Sequence, residues 1–238
     1  MNRPDTTTRF LFVRHGETAW DRDSRFRGRA DVPLSDEGRR QARLVGARVA
    51  RQPVSAVYAS PLSRALETAR AIAGHHGLDP LPCDALVDID YGDWQGRTPD
   101  EIAAEDPAAY AYWLAQPSRA SIPGGEPVAD VRARVAWLVN DVASRRPGET
   151  VVLVSHDMVG RALMTAILGL PLDAIRRIAQ QHAALNAFER RSDRFVVHAI
   201  NDTGHLGPLE GEHHDATDLQ RATRRDRVLS GASLSLTT

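Results

Sequence analysis

The 238-residue sequence contains no lysine, a single cysteine and no long apolar run. All 30 basic residues are arginine, which excludes a lysine Schiff base and the lysine-dependent phosphate-binding loop of many nucleotide hydrolases. Cys83 has no second cysteine for an intramolecular disulfide. No segment reaches the roughly 18 apolar residues of a membrane span, and residues 1–9 lack the apolar stretch of a signal peptide. We therefore expect a cytoplasmic protein.

The overall charge excludes two classes of partner. The 30 basic residues nearly balance 31 acidic ones, leaving a formal net charge of -1. Nucleic-acid binding and anionic membranes both call for a marked basic excess, so we expect neither as a partner. With 42% hydrophobic residues, the chain is long enough for one well-buried core or at most two small ones.

Apolar patterns alternate between the periods of strands and helices. Strands are predicted at residues 10–13, 54–59, 86–89, 150–154, 184–188 and 194–200. Helices are predicted from Ser35, from Ser60-Pro61, and over 100–116 (broken at Pro107), 128–144 and 158–168. This alternation favours a three-layer α/β/α domain with a mostly parallel central sheet. We assign it to residues 1–205; residues 206–238, without Phe, Trp or Tyr, are expected to be a flexible tail.

Two buried strands are predicted to end in a histidine. His15 and His156 each follow a continuous apolar run, and ligands bind outside the carboxyl ends of strands in a parallel sheet. Arg14 precedes the first histidine. Arg64 falls in the first turn of the helix from Ser60, where backbone amides favour an anion. Two histidines and two arginines at one sheet edge suit a phosphoryl group.

The segment Arg14-His15-Gly16-Glu17-Thr18 resembles the signature of the histidine phosphatase superfamily, the phosphoglycerate mutase-like proteins. The resemblance runs from about Phe10 to Leu206. Further blocks follow in family order: Pro33-Leu34-Ser35, Ser60-Pro61-Leu62-Ser63-Arg64-Ala65, residues 86–96, Gly124-Gly125-Glu126, Val154-Ser155-His156 and Asn201-Asp202-Thr203. It implies a phosphoglycerate mutase-like fold.

The resemblance also implies roles for individual residues. His15 would be the nucleophile that carries the phosphoryl group, and Arg14, Arg64 and His156 would bind its oxygens. Asp88 would be the general acid and base, where the family more often has Glu. Alternation along the predicted strand would place Asp90 on the same face, and motif position favours Asp88. Neither a metal nor another cofactor is implied.

The sequence departs from the family pattern at two positions. Asp21 replaces the usual Asn, and Arg27 replaces the usual Gln. Either the two side chains compensate each other's charge, or Arg27 contacts a second anionic group on the substrate. Gly16, Thr18 and Asp157 are the remaining candidate substrate-binding residues.

The favoured function is a phosphomonoesterase acting on a small phosphorylated metabolite. The first alternative is a phosphoglycerate mutase, but family mutases carry a longer basic insertion after the acid segment. Between Gly96 and Gly124 this chain has only Arg97 and Arg119 as basic residues. A non-catalytic regulatory protein is the third possibility, although every expected catalytic position is filled. The substrate stays open, as does the choice between a monomer and a homodimer.

Overall fold

A computed structural model describes residues 7–21 and 24–207, which form a six-stranded sheet between two layers of helices. The strands are β1 (Thr8–Arg14), β2 (Val54–Ala59), β3 (Leu81–Pro82), β4 (Thr150–Ser155), β5 (Leu185–Arg191) and β6 (Arg194–Asp202). Their order is β3-β2-β4-β1-β5-β6. The first four strands in that order are parallel, β5 runs antiparallel to β1, and β6 runs antiparallel to β5. The expected three-layer, mostly parallel architecture is confirmed.

Six α-helices cover the sheet. They are α1 (Asp36–Val49), α2 (Ser63–Ala73), α3 (Pro99–Glu105), α4 (Pro107–Ala115), α5 (Val128–Arg145) and α6 (Asp157–Ile167). Helices α1 and α2 share one apolar core with one face of the sheet, and α3 to α6 share a second core with the other face. The predicted break at Pro107 separates α3 from α4, because proline begins a helix readily but cannot continue one.

The central strands are buried on both faces, as their continuous apolar runs predict. In β1, Phe10 and Phe12 belong to the core beneath α5 and α6, and Leu11 and Val13 belong to the core beneath α1 and α2. Residues of β4 alternate between the same two cores. Because β1 and β4 are adjacent and parallel, with Arg14 opposite Ser155, the residues that follow them emerge side by side.

The strand predicted at residues 86–89 is wrong. The chain forms one 3-10 turn over Asp84–Leu86 and then continues without a strand. Leu86 and Ile89 are fully buried because this loop lies over the core, not because they pair in the sheet. The prediction that Asp88 and Asp90 share one face of a strand is therefore also wrong.

Helix α2 begins at Ser63, later than the predicted Ser60-Pro61 start. The hydroxyl of Ser60 instead lies 2.7 Å from Nε2 of His156. Within the described ranges, none of the helices has the length and apolar character needed to cross a bilayer. The predicted tail falls outside the described residues except for Leu206 and Gly207, so the domain boundary stays a prediction.

Candidate active site

His15 and His156 face each other at the carboxyl edge of the sheet. Each follows the last residue of its strand, β1 or β4, and the ring centroids are 5.1 Å apart with the planes inclined by 60°. Both side chains are buried. The convergence expected from the two apolar runs is therefore present.

Arg14, the last residue of β1, and Arg64, in the first turn of α2, also lie at this edge of the sheet. Arg14 is 2% exposed and Arg64 is 0% exposed. Backbone carbonyls fix both guanidinium groups. Arg64 donates to the oxygens of Gly28 and Ala30, each at 2.8 Å, and Arg14 donates to the oxygen of Gln180. The Nε atoms of both arginines are buried, and within the described residues neither has a hydrogen-bond partner.

Asp88 completes the group from the loop that follows the 3-10 turn. Its Oδ2 lies 3.4 Å from Nη2 of Arg64 and 3.7 Å from Nδ1 of His156, and its Oδ1 accepts a hydrogen bond from the Ile89 amide. Asp88 is buried, with 9% of its side chain exposed. A group that can donate and accept a proton thus lies beside His156 and Arg64.

Burial and positive charge keep both imidazoles neutral. Desolvation, then the nearby Arg64 guanidinium, holds the pKa of His15 well below its usual 6.5, and the same two causes act on His156. Desolvation lowers the pKa of Arg64 to about 10, which leaves it charged at neutral pH. Burial raises the pKa of Asp88 above its usual 3.8 even though Arg64 opposes the shift.

One hydrogen bond fixes the tautomer of His15. Its Nδ1 lies 2.6 Å from the carbonyl oxygen of Gly16, and a carbonyl oxygen can only accept. Nδ1 therefore carries the ring proton, and Nε2 keeps the lone pair. A neutral imidazole with a fixed free Nε2 is the form required of a nucleophile.

Asp21 and Arg27 form the close ion pair that the sequence departures suggested. The other carboxylate oxygen of Asp21 accepts from the amide and the hydroxyl of Thr18, at 2.6 and 2.8 Å. Burial alone would raise the pKa of Asp21, but His182, when its ring is protonated, and Arg27 hold it well below its usual value. Asp21 is thus an ionised, fully engaged carboxylate.

Gly16 and Asp157 have partners within the protein. The Gly16 amide donates to Oγ1 of Thr68, and a Cβ at Gly16 would lie 2.3 Å from the carbonyl oxygen of Gly38. Only glycine permits that approach. Asp157 begins α6, accepts from Nε of Arg161 at 2.8 Å and lies 3.9 Å from Nη1 of Arg14. Contact of either residue, or of Thr18, with a substrate stays a prediction.

Sequence reasoning missed two side chains and misjudged one helix end. His182 contacts both Arg14 and Asp21, and buried Arg161 braces Asp157. Both lie outside the motifs, and His182 follows a polar stretch with no periodic pattern. At the start of α2, the Ser63 amide donates to the carboxylate of Asp31, so this chain supplies its own anion there.

Among the described residues, the side chains connected at this site carry an excess of positive charge. Four guanidinium groups (Arg14, Arg27, Arg64 and Arg161) accompany three carboxyl groups (Asp21, Asp88 and Asp157). Together with neutral histidines and orphaned buried N–H donors, this set suits a multiply charged oxyanion. Among residues 7–21 and 24–207, no cluster of three His, Cys, Asp or Glu side chains could hold a metal ion.

Known proteins resemble this chain over nearly all of the described region. The family model described as "Histidine phosphatase superfamily (branch 1)" matches residues 10–203. Phosphoserine phosphatase 1 of Hydrogenobacter thermophilus is 32% identical over 87% of this chain and 99% of that protein. A probable phosphoglycerate mutase, GpmB of Yersinia pestis, is 31% identical over 82% and 93%. The structure of YhfR from Bacillus stearothermophilus covers 84% of this chain and all of its own, at 33% identity and a TM-score of 0.80.

Proposed function

This chain belongs to the histidine phosphatase superfamily (branch 1), and from that premise we propose how its residues carry out the reaction. It is a phosphomonoester hydrolase of the histidine phosphatase type. The observation that carries the mechanism is the pair of buried, facing imidazoles surrounded by N–H donors that have no partner in the described protein.

In the first step, Nε2 of His15 attacks the phosphorus in line with the leaving oxygen. A phosphorus–nitrogen bond forms, the phosphorus–oxygen bond breaks, and Asp88 gives its proton to the departing alcohol. Nε of Arg14, Nε of Arg64 and Nδ1 of His156 donate to the three remaining oxygens. These donors stand ready before the charge is redistributed, which is the condition for electrostatic stabilisation of a transition state.

His156 can donate from Nδ1 because of Ser60. Oγ of Ser60 accepts from the Leu62 amide at 3.4 Å, and among the described residues Nε2 of His156 is the one acceptor within reach of its hydroxyl hydrogen, so we assign Ser60 as the donor to Nε2. The ring proton of the neutral imidazole then sits on Nδ1, within the site.

In the second step, water replaces the alcohol. Asp88, now ionised, takes a proton from the water, whose oxygen attacks the phosphorus and breaks the bond to His15. Inorganic phosphate and the original form of the enzyme result. Burial already raises the pKa of Asp88, and a bound phosphoryl dianion raises it further, so one carboxyl group serves as acid and then as base.

For the substrate, we propose a small phosphomonoester, with phosphoserine as the first compound to test. The relative from Hydrogenobacter thermophilus is named a phosphoserine phosphatase and matches along almost its whole length. A mutase would return the phosphoryl group to a second hydroxyl of the same molecule. Of the two arginines available for holding a mutase substrate, Arg97 is engaged by Glu105 on the surface, which favours hydrolysis.

The test is phosphate release from phosphoserine and from 3-phosphoglycerate, with the organic product analysed for isomerisation. Wild type should release phosphate without isomer, and rapid quench should trap an acid-labile phosphoenzyme. His15→Ala should lose both turnover and labelling, whereas His198→Ala, a half-exposed histidine on β6, should retain both. Turnover that persists in His15→Ala would exclude the covalent route.

A further inference from the structure

His182 is a third buried histidine at the site, and the mechanism above does not use it. It is 4% exposed and lies in the segment between the 3-10 turn Leu172–Arg177 and β5. Its ring centroid is 6.1 Å from that of His15. Its side chain is therefore close enough to respond to whatever binds at the nucleophile.

One nitrogen of this ring faces two groups with opposite requirements. Nε2 of His182 lies 2.5 Å from Nη2 of Arg14 and 2.9 Å from Oδ1 of Asp21. The guanidinium can only donate, so it needs a lone pair on Nε2. The carboxylate can only accept, so it needs a proton on the same atom. A single nitrogen cannot satisfy both at once, and its protonation decides which bond forms.

We propose that His182 is a positioning residue whose Nε2 changes partner when a phosphoryl group binds. In the unliganded site, Nε2 accepts from Arg14. In the liganded site, the ring takes up a proton and donates to Asp21, which frees the Nη2 hydrogen of Arg14 for the phosphoryl oxygens. This inference rests on the proposed function, because it assigns the anion to the space between His15 and His156.

The charges around the ring favour this exchange. Arg14 and His15 approach from the end of β1, Asp21 from the 3-10 turn Ala19–Asp21, and Arg27 from the following loop through its pair with Asp21. On the α6 side, Asp157 lies 3.9 Å from Nη1 of Arg14. Added negative charge beside His15 stabilises imidazolium and draws the Arg14 guanidinium toward the anion, so both forces act in the same direction.

The change of partner also explains how the Asp21 carboxylate can lie beside a site that binds phosphate. Oδ1 of Asp21 lies 3.8 Å from Nη2 of Arg14 and would repel an incoming phosphoryl group unless it were neutralised. Arg27 supplies one positive charge permanently. Protonated His182 supplies a second positive charge when the anion is present, so Asp21 stays bound to the protein.

Binding of inorganic phosphate tests this exchange without any turnover. Calorimetry in buffers of different ionisation enthalpy measures the protons taken up on binding. Wild type should take up as much as one proton more than His182→Gln, because glutamine offers Arg14 a carbonyl oxygen and Asp21 an amide nitrogen at all pH values. His198→Gln is the matched control and should bind like wild type. Equal proton uptake in wild type and His182→Gln would overturn the proposal.

Nitrogen-15 spectra of the histidine rings give a second measurement on the wild-type protein itself. The His182 signals are assigned by their loss in His182→Gln. Adding phosphate at pH 7 should convert Nε2 from the unprotonated to the protonated type. An Nε2 signal that does not move would equally overturn the proposal, even if some variants of this residue fail to fold.

Kinetics separate this inference from the proposed function. His182→Ala should lower kcat/KM about 10- to 100-fold through misplacement of Arg14. His182→Gln should be more active than His182→Ala near neutral pH, and its kcat/KM profile should lack one ionisation on the alkaline side. A wild type that is active, with the same profile as His182→Gln, refutes the exchange alone. A wild type that binds phosphate with the expected proton uptake, yet hydrolyses no phosphomonoester, refutes the proposed function alone.

Discussion

The two ends of the central sheet use arginine in opposite ways. At the carboxyl end, Arg14 and Arg64 are buried, and each has an Nε–H that lacks a partner within the described protein. Beside α1, a cavity of about 450 Å³, here called the amino-end cavity, reaches the start of β1 and is lined by three arginines that each lie against a carboxylate. Arg9 and Arg191 contact Glu189, and Arg48 contacts Asp202.

This difference separates a binding site from a surface ion-pair network. An anion that entered the amino-end cavity would compete with carboxylates already in place, and its arginines are about half exposed to water. An anion at the carboxyl end would meet donors whose desolvation is already complete. A cavity with arginines is therefore insufficient evidence for a site, whereas orphaned buried donors point to one.

The largest change that we expect is a loss of catalytic rate in Asp88→Asn, at the carboxyl end of the sheet. Losing a general acid and base typically costs about 10²- to 10⁴-fold in rate. The loss in kcat/KM, which reports only the steps up to departure of the leaving group, should be greater for phosphoserine than for p-nitrophenyl phosphate, since nitrophenolate leaves without a proton. Steady-state kinetics with both substrates measure the difference.

Asp90→Asn is the matched control, because Asp90 lies two residues away, is 31% exposed and contacts Arg29 at 3.5 Å. It should keep most activity with both substrates. A larger loss in Asp90→Asn than in Asp88→Asn would reassign the acid, and equal losses in kcat/KM with the two leaving groups would mean that Asp88 donates no proton.

The carboxyl end was largely predictable because local patterns encode it. A continuous apolar run followed by Arg-His or Ser-His fixes a buried strand and its terminal histidine within a few residues of sequence. Parallel pairing of β1 and β4 then brings His15 to His156. The Asp21–Arg27 ion pair was predictable because both residues replace uncharged residues of the family pattern with opposite charges, six positions apart.

The remaining features depend on tertiary contacts that no local pattern carries. His182 reaches Asp21 across 161 residues, from a segment without periodicity. Leu86 and Ile89 resemble a strand because they are apolar, but the core buries them through a loop. Ser60 resembles a helix cap, yet its hydroxyl is engaged by a histidine from β4's end, so α2 begins later.

A smaller effect is expected in stability toward acid, and it arises at the carboxyl end of the sheet. His15 and His156 have pKa values well below 6.5, so below pH 6.5 the unfolded chain binds protons that the folded protein does not. Their contribution is fully present above pH 6.5 and is lost as the pH falls toward their folded pKa values. Each contributes up to about 1.4 kcal/mol per pH unit to the slope. His156→Gln should remove one such contribution in urea unfolding measured from pH 6.5 downward.

Asp88 acts in the opposite direction, since its raised pKa means that the folded protein binds a proton more readily than the unfolded chain above pH 3.8. Comparing Asp88→Asn with Asp88→Asn/His156→Gln removes that contribution from both proteins. An unchanged slope between this pair would show that His156 is not held neutral by the fold.

The smallest effect should come from the amino end, where Arg146 and Glu149 pair at 2.8 Å just before β4. Both side chains are partly exposed, so a double-mutant cycle with Arg146→Gln and Glu149→Gln should give a coupling of about 0.2–1 kcal/mol in urea unfolding. High salt should reduce it, because exposed charges are screened. The kcat/KM of all three variants should match wild type. A tenfold loss of activity in any of them would mean that the two ends of the sheet are coupled, and that paired surface arginines also serve the site.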